Sequence, residues 1–107
     1  MYTINKQFKF SASHSIPSLG KSHKCSRTHG HNYKLTFSFW GLDLDKHGFV
    51  LDVAGNLMGE IKNEIETNWD HQNLNDFIGS PSVEVIAKTW FDWILSKTDS
   101  IWATYEY

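Results

Sequence analysis

Two stretches of this chain alternate in polarity with the period of a β-strand, and each carries histidine on its apolar side. From residue 4 to 14 the even positions read Ile4, Lys6, Phe8, Phe10, Ala12 and His14, while the odd positions from Thr3 to Ser13 are all polar. From 29 to 39 the odd positions read His29, His31, Tyr33, Leu35, Phe37 and Phe39. Side chains alternate across a strand, so His14, His29 and His31 share a face with residues that must be buried. His29-Gly30-His31 sets two imidazoles at i and i+2, about 7 Å apart along one strand face. In an antiparallel pair joined by the 15–28 loop, the end of the first strand meets the start of the second, and His14 falls beside them. Three neutral nitrogen donors with a fourth position open are the ligand set of a catalytic zinc.

Length and charge narrow the remainder. A chain of 107 residues is one domain, 1–107, with a modest core. A net charge of −2 leaves no basic footprint for nucleic acid or an anionic membrane. The start, MYTINKQFKF, lacks an apolar signal core, and no apolar run reaches spanning length, so the expected location is the cytoplasm. Aromatic content of 15%, with five Trp, predicts contacts between copies, a homo-oligomer. The lone cysteine, Cys25, cannot form an internal disulfide. Its neighbours Lys24, Ser26 and Arg27 argue against an apolar core position. Beside the histidines it is either a reactive thiol or a fourth metal ligand that closes the site.

The pattern predicts a first strand over about 2–12, a loop with Pro17 and Gly20 to about 28, and a second strand from His31 to Trp40. Residues 41–48 read as a turn, and the extended piece Phe49-Val50-Leu51 meets Asp52, a helix N-cap. Val53, Leu57, Ile61 and Ile65 lie on one face of a first helix. Gly55 and Gly59 in it either weaken the helix or permit close packing. Residues 69–76 read as a loop. Ser80-Pro81 starts a second helix with the stripe Val83, Ala87, Trp90 and Ile94, ending near Ser96. Residues 101–107 are β-prone. The order ββααβ predicts an α+β fold, an antiparallel sheet with two helices on one face. His23 and His47 have no phase relation to the strands and read as solvated. Asp70-His71 is either a helix-linking loop or a pair in which the carboxylate orients the imidazole for proton transfer. Glu84 reads as a first-turn acid facing the helix dipole. Nothing local distinguishes Glu106.

Taken together, these segments resemble the 6-pyruvoyltetrahydropterin synthase / 6-carboxytetrahydropterin synthase family along essentially the whole chain. The residues that carry the resemblance are Phe10-Ser11-Ala12-Ser13-His14, the run from Cys25 through His29-Gly30-His31 to Tyr33, Gly48-Phe49-Val50-Leu51-Asp52, the segment Asp70-His71-Gln72-Asn73-Leu74-Asn75, and Pro81-Ser82-Val83-Glu84. Three residues separate Cys25 from the histidine pair, as in the bacterial 6-carboxy type of the queuosine pathway.

The resemblance implies a zinc-dependent lyase that converts 7,8-dihydroneopterin triphosphate to 6-carboxy-5,6,7,8-tetrahydropterin, releasing acetaldehyde and triphosphate. The alternatives are 6-pyruvoyltetrahydropterin formation by triphosphate elimination, or a non-catalytic zinc-binding member. The resemblance also implies that His14, His29 and His31 hold Zn2+, that Cys25 is the catalytic thiol, that Asp70 and His71 transfer protons, and that Glu106 binds the pterin ring. It implies the tunnelling fold, with trimers closing a barrel, two trimers forming a hexamer, and active sites shared between subunits. Lys21, Lys24 and Arg27 stand in the right loop for a triphosphate, or are simply solvated. Family members continue past the glutamate into a final short strand; here Tyr107 is the last residue, so that strand is expected to be absent.

Overall fold

The computed structural model describes residues 1–50 and 56–97, and the backbone of 102–106. Its frame is a long two-stranded ribbon. β1 (Tyr2–His14) and β2 (His29–Gly41) pair antiparallel along their whole length, from Tyr2 opposite Gly41 to His14 opposite His29. β3 (Gln72–Asn73) adds a parallel pairing to β1 at Ala12 and Ser13, and β4 (Trp102–Glu106) pairs antiparallel with β2. The sheet order is β3-β1-β2-β4. With α1 (Asn56–Glu64) and α2 (Val83–Lys97) this is the expected α+β architecture.

The alternation determines where the core forms. Even residues of β1 and odd residues of β2 supply Phe10, Ala12, Tyr33, Leu35, Phe37 and Phe39 to one buried cluster. Ile61 of α1 and Ile86, Trp90 and Ile94 of α2 join the same cluster, so both helices cover that sheet face. Trp90 is its centre, packed on Trp69 at 4.9 Å between ring centroids and edge-on to Phe37 at 5.9 Å.

Several details depart from the sequence pattern. Both main strands run further toward the histidines than the expected 2–12 and 31–40. The sheet is not wholly antiparallel: the segment read as a loop, 69–76, contains β3. Trp69 itself belongs to a π-helical turn, Ile65–Trp69, that continues α1. The wider turn follows from the side chains: it buries Ile65 and Trp69 together, four residues apart. The cap of α2 is Ser82 rather than Ser80, since Ser82 Oγ accepts from Val85 N at 3.2 Å. A Cβ at Gly59 would meet nothing within 4 Å, so no close packing within the described chain uses it. Phe49 belongs to a turn rather than an extended piece, with its N–H bonded to Asp45 Oδ1. Asp52, Val53 and Gly55 lie outside the described residues, as do Ile101 and Tyr107.

The single chain is extended. Its radius of gyration is 15.9 Å and its longest dimension 56 Å, against about 13 Å for the radius of a compact chain of this length. Among the described residues, no strand pairs with the outer edge of β1 from Tyr2 to Phe10.

Trp90 is 1% exposed. Trp90→Ala is expected to cost about 3–5 kcal/mol in denaturant unfolding. A loss under about 1 kcal/mol would show that the helices do not depend on this contact.

Candidate metal centre

The ribbon register brings His14 directly opposite His29 and sets His31 opposite Ala12. One ligand atom from each of the three histidines lies within 4.8 Å of the others. The rings meet edge to face, with centroids 4.5 to 5.0 Å apart. Among the described residues this is the one such group of metal-ligating side chains. It grades from interior to surface: His14 is buried, His29 half-buried and His31 exposed.

Two of the rings are oriented by backbone carbonyls. His14 Nδ1 donates to Pro81 O at 2.6 Å, and His29 Nδ1 donates to Arg27 O at 2.7 Å. A carbonyl only accepts, so each Nδ1 carries a proton and Nε2 is the ring atom left to meet a metal. This is the outer bond that metal-ligating histidines make. Partial desolvation of its ring, then the neighbouring His14 and His29, lower the pKa of His31, which favours its neutral form. Tyr33 packs its ring against His14 and His31. Its hydroxyl is buried with no hydrogen-bond partner among the described residues. The donor set, all imidazole nitrogen, fits zinc.

Cys25 sits on a single 3-10 turn, Lys24–Ser26, in the loop between the two strands. The turn is tied to the end of β1, because Ile16 N donates to Cys25 O at 2.8 Å. Among the described residues, Cys25 does not join the three-histidine group. His23 is exposed, as the sequence reading had it, and also caps the turn, its Nδ1 accepting from Cys25 N at 3.1 Å. Its place two residues before Cys25 was the available signal.

The Asp70-His71 pair is assembled by the π turn. Asp70 N donates to Ile65 O at 2.8 Å, closing the wide turn and turning the chain onto the β1 edge. There Asp70 Oδ1 accepts from Ser11 N at 2.9 Å, and Asp70 Oδ2 meets His71 Nδ1 at 3.0 Å. The Ser11 amide, followed by the His71 contacts, holds the Asp70 carboxyl below the ordinary carboxylate range. His71 takes a left-handed backbone, φ 61°, and its N–H reaches Ser11 O at 2.6 Å. Its Nδ1 is engaged and its side chain is 82% exposed, which leaves Nε2 free to exchange a proton.

His31 and His71 line one cleft of about 380 Å³ with Ser11, Ser13 and Asn32. Cys25 does not line it. Glu106 stands opposite Thr36, five residues along β2 from His31, roughly 17 Å away along the strand. Sequence reasoning missed Asn75, which clamps the residue after His14: Asn75 Oδ1 accepts from Ser15 N at 2.8 Å and its Nδ2 donates to Ser15 O at 3.0 Å.

The profile of the 6-pyruvoyl tetrahydropterin synthase family matches residues 3–105. The chain is 32% identical over 108 residues to the 6-carboxy-5,6,7,8-tetrahydropterin synthase of Bacillus subtilis, covering 94% of this chain and 70% of that protein. It is 31% identical over 105 residues to the protein of the same name from Synechocystis, covering 92% and 76%. The structure of Caenorhabditis elegans 6-pyruvoyl tetrahydropterin synthase superposes with a TM-score of 0.75 at 23% identity, over 99% of this chain and 96% of that one, and shows the same fold. Among the described residues, no helix is long and apolar enough to cross a membrane.

The low pKa of Asp70 gives a pH test. The folded state favours the carboxylate, so its contribution is complete above the unfolded value near 4 and is lost as pH falls through the folded value. Asp70→Asn is expected to lose less stability than the parent between pH 5 and pH 2 in thermal melts. Parallel losses in the two proteins would refute the Ser11 anchor.

Proposed function

The chain belongs to the 6-pyruvoyl tetrahydropterin synthase family, and from that premise we propose that it is the 6-carboxy-forming enzyme. In this reading it is a zinc-dependent carbon–carbon lyase acting on 7,8-dihydroneopterin triphosphate. The products are 6-carboxy-5,6,7,8-tetrahydropterin, acetaldehyde and triphosphate, on the queuosine route. The observation that carries the reading is the convergence of His14, His29 and His31, two of them with Nδ1 fixed on carbonyls.

In this reading the three histidines hold Zn2+, which when bound supplies Lewis acidity to the hydroxyls of the substrate side chain. Cys25, on its anchored turn, accepts a proton as thiolate. His71 takes or returns a proton at Nε2, while Asp70 fixes its tautomer through Nδ1 and stabilises the imidazolium. Glu106 binds the pterin ring.

The separation of Glu106 from His31 along β2, and the absence of Cys25 from the His31–His71 cleft, favour sites completed between copies. The outer edge of β1, unpaired among the described residues, supports the same view, because a long free strand edge is a template for pairing. We read the assembly as a homo-oligomer, a trimer or hexamer, working in the cytoplasm where a lone thiol stays reduced.

Zinc content and product analysis test this together. Cys25→Ala is expected to keep one zinc per chain and lose at least about 100-fold in turnover, with acetaldehyde the diagnostic product of the parent. Loss of zinc in Cys25→Ala would make the thiol a ligand and the site structural. Pyruvoyl product without acetaldehyde would move the chain to the other branch of the family.

A further inference from the structure

The short turn that presents Cys25, Lys24–Ser26, is a single 3-10 turn. Such a turn has little stability of its own, so bonds from outside decide whether it holds its shape. Two of them tie it to the ends of the histidine strands. Cys25 O accepts from Ile16 N at 2.8 Å, two residues beyond His14. Arg27, which closes the turn by donating its N–H to Lys24 O at 3.2 Å, gives its own carbonyl to His29. The remaining backbone polar group of Cys25 is its N–H, and His23 Nδ1 takes it at 3.1 Å.

His23 is itself held in place. Its N–H donates to Gly20 O at 3.1 Å, and Gly20 has a φ of 86°, which favours glycine. Its carbonyl accepts from Ser26 twice, from N at 3.0 Å and from Oγ at 2.7 Å. Its extended backbone, φ −87° and ψ 128°, is that of a capping residue.

The direction of the Cys25 bond fixes the ring's chemistry. A neutral imidazole that accepts at Nδ1 carries its proton at Nε2. This is the opposite tautomer from His14 and His29, whose Nδ1 atoms donate to carbonyls. In this form His23 has no nitrogen free for a metal, and it stands outside the three-histidine group. The imidazoles of this region thus divide between two tasks. His14, His29 and His31 converge on one point, while His23 is spent on the backbone of the thiol residue.

We propose that His23 is the positioning residue for the Cys25 thiol. This rests on the reading given under Proposed function, in which Cys25 accepts a proton. Without the Nδ1 acceptor, the peptide that leads into Cys25 is free to rotate, and the thiol moves with it. A displacement of about 1 Å in a reacting group costs up to about 100-fold in rate. The bond touches neither substrate nor metal, so its loss enters kcat and leaves KM and zinc content alone.

A matched pair of substitutions tests this. Asn is a preferred cap and sets Oδ1 where the imidazole has Nδ1, whereas Leu has nearly the shape of Asn and no acceptor. With dihydroneopterin triphosphate, His23→Leu is expected to lose about ten- to a hundredfold in kcat, with KM, zinc content and melting temperature near those of the parent. His23→Asn is expected to recover kcat to within about threefold of the parent. In zinc-containing protein labelled with nitrogen-15 at histidine, NMR at about pH 8, above the ordinary imidazole range, is expected to show His23 as the Nε2–H tautomer.

Full kcat in His23→Leu overturns the proposal, as does an equal loss in His23→Asn, because the acceptor would then not matter. A loss that follows zinc content or melting temperature overturns it too, and so does an Nδ1–H tautomer at His23. Turnover that survives Cys25→Ala would sink the thiol's role under Proposed function and this proposal with it. Turnover abolished by Cys25→Ala but indifferent to His23→Leu would sink this proposal alone.

Discussion

The antiparallel register of β1 against β2 is the constraint on which everything else depends. A pairing with His14 opposite His29 puts the apolar residues of both strands on one face, and the imidazoles at the end of that face. It also puts Lys9 opposite Lys34 on the other face. A slip of one residue would turn every side chain of one strand to the wrong side, burying polar residues and separating the histidines. The helices enforce the register because Trp90, Ile61 and Ile94 need the apolar face beneath them.

Short backbone anchors around this frame give the site its precision. Pro81, buried at the approach to α2, offers the carbonyl that fixes His14. Arg27, just before β2, does the same for His29. Asn75 clamps Ser15, and the Asp70 carboxylate grips Ser11 N while orienting His71. Most of these contacts join segments about 60 residues apart in the chain. The three-histidine group and the Asp70-His71 pair are thereby tied to the same few residues at the end of β1.

Much of this was legible in the sequence. A period of two is a strong signal when both strands keep it for eleven residues, and it placed His14, His29 and His31 on one face. The face of α2 was equally plain in Ala87, Trp90 and Ile94, with Ile86 rather than Val83 completing the buried stripe. The local geometry was not legible. A π turn has no simple sequence signature, so Trp69 read as loop although it is core. The two-residue strand β3 is too short to show a period. The cap moved from Ser80 to Ser82 because both serines flank the same proline and only the path of the chain chooses between them. Asn75 acts through bonds to the Ser15 backbone, brought near by folding, and His23 through a local bond to Cys25 N, neither of which periodicity reports.

The central claim is that three imidazoles alone from the chain hold the metal. Zinc K-edge X-ray absorption on protein carrying one zinc per chain measures this directly. The account predicts three nitrogen ligands at about 2.0–2.1 Å, a further light atom in the open position, and no sulfur. A sulfur shell at about 2.3 Å would contradict it, because Cys25 would then be a ligand and not a free thiol.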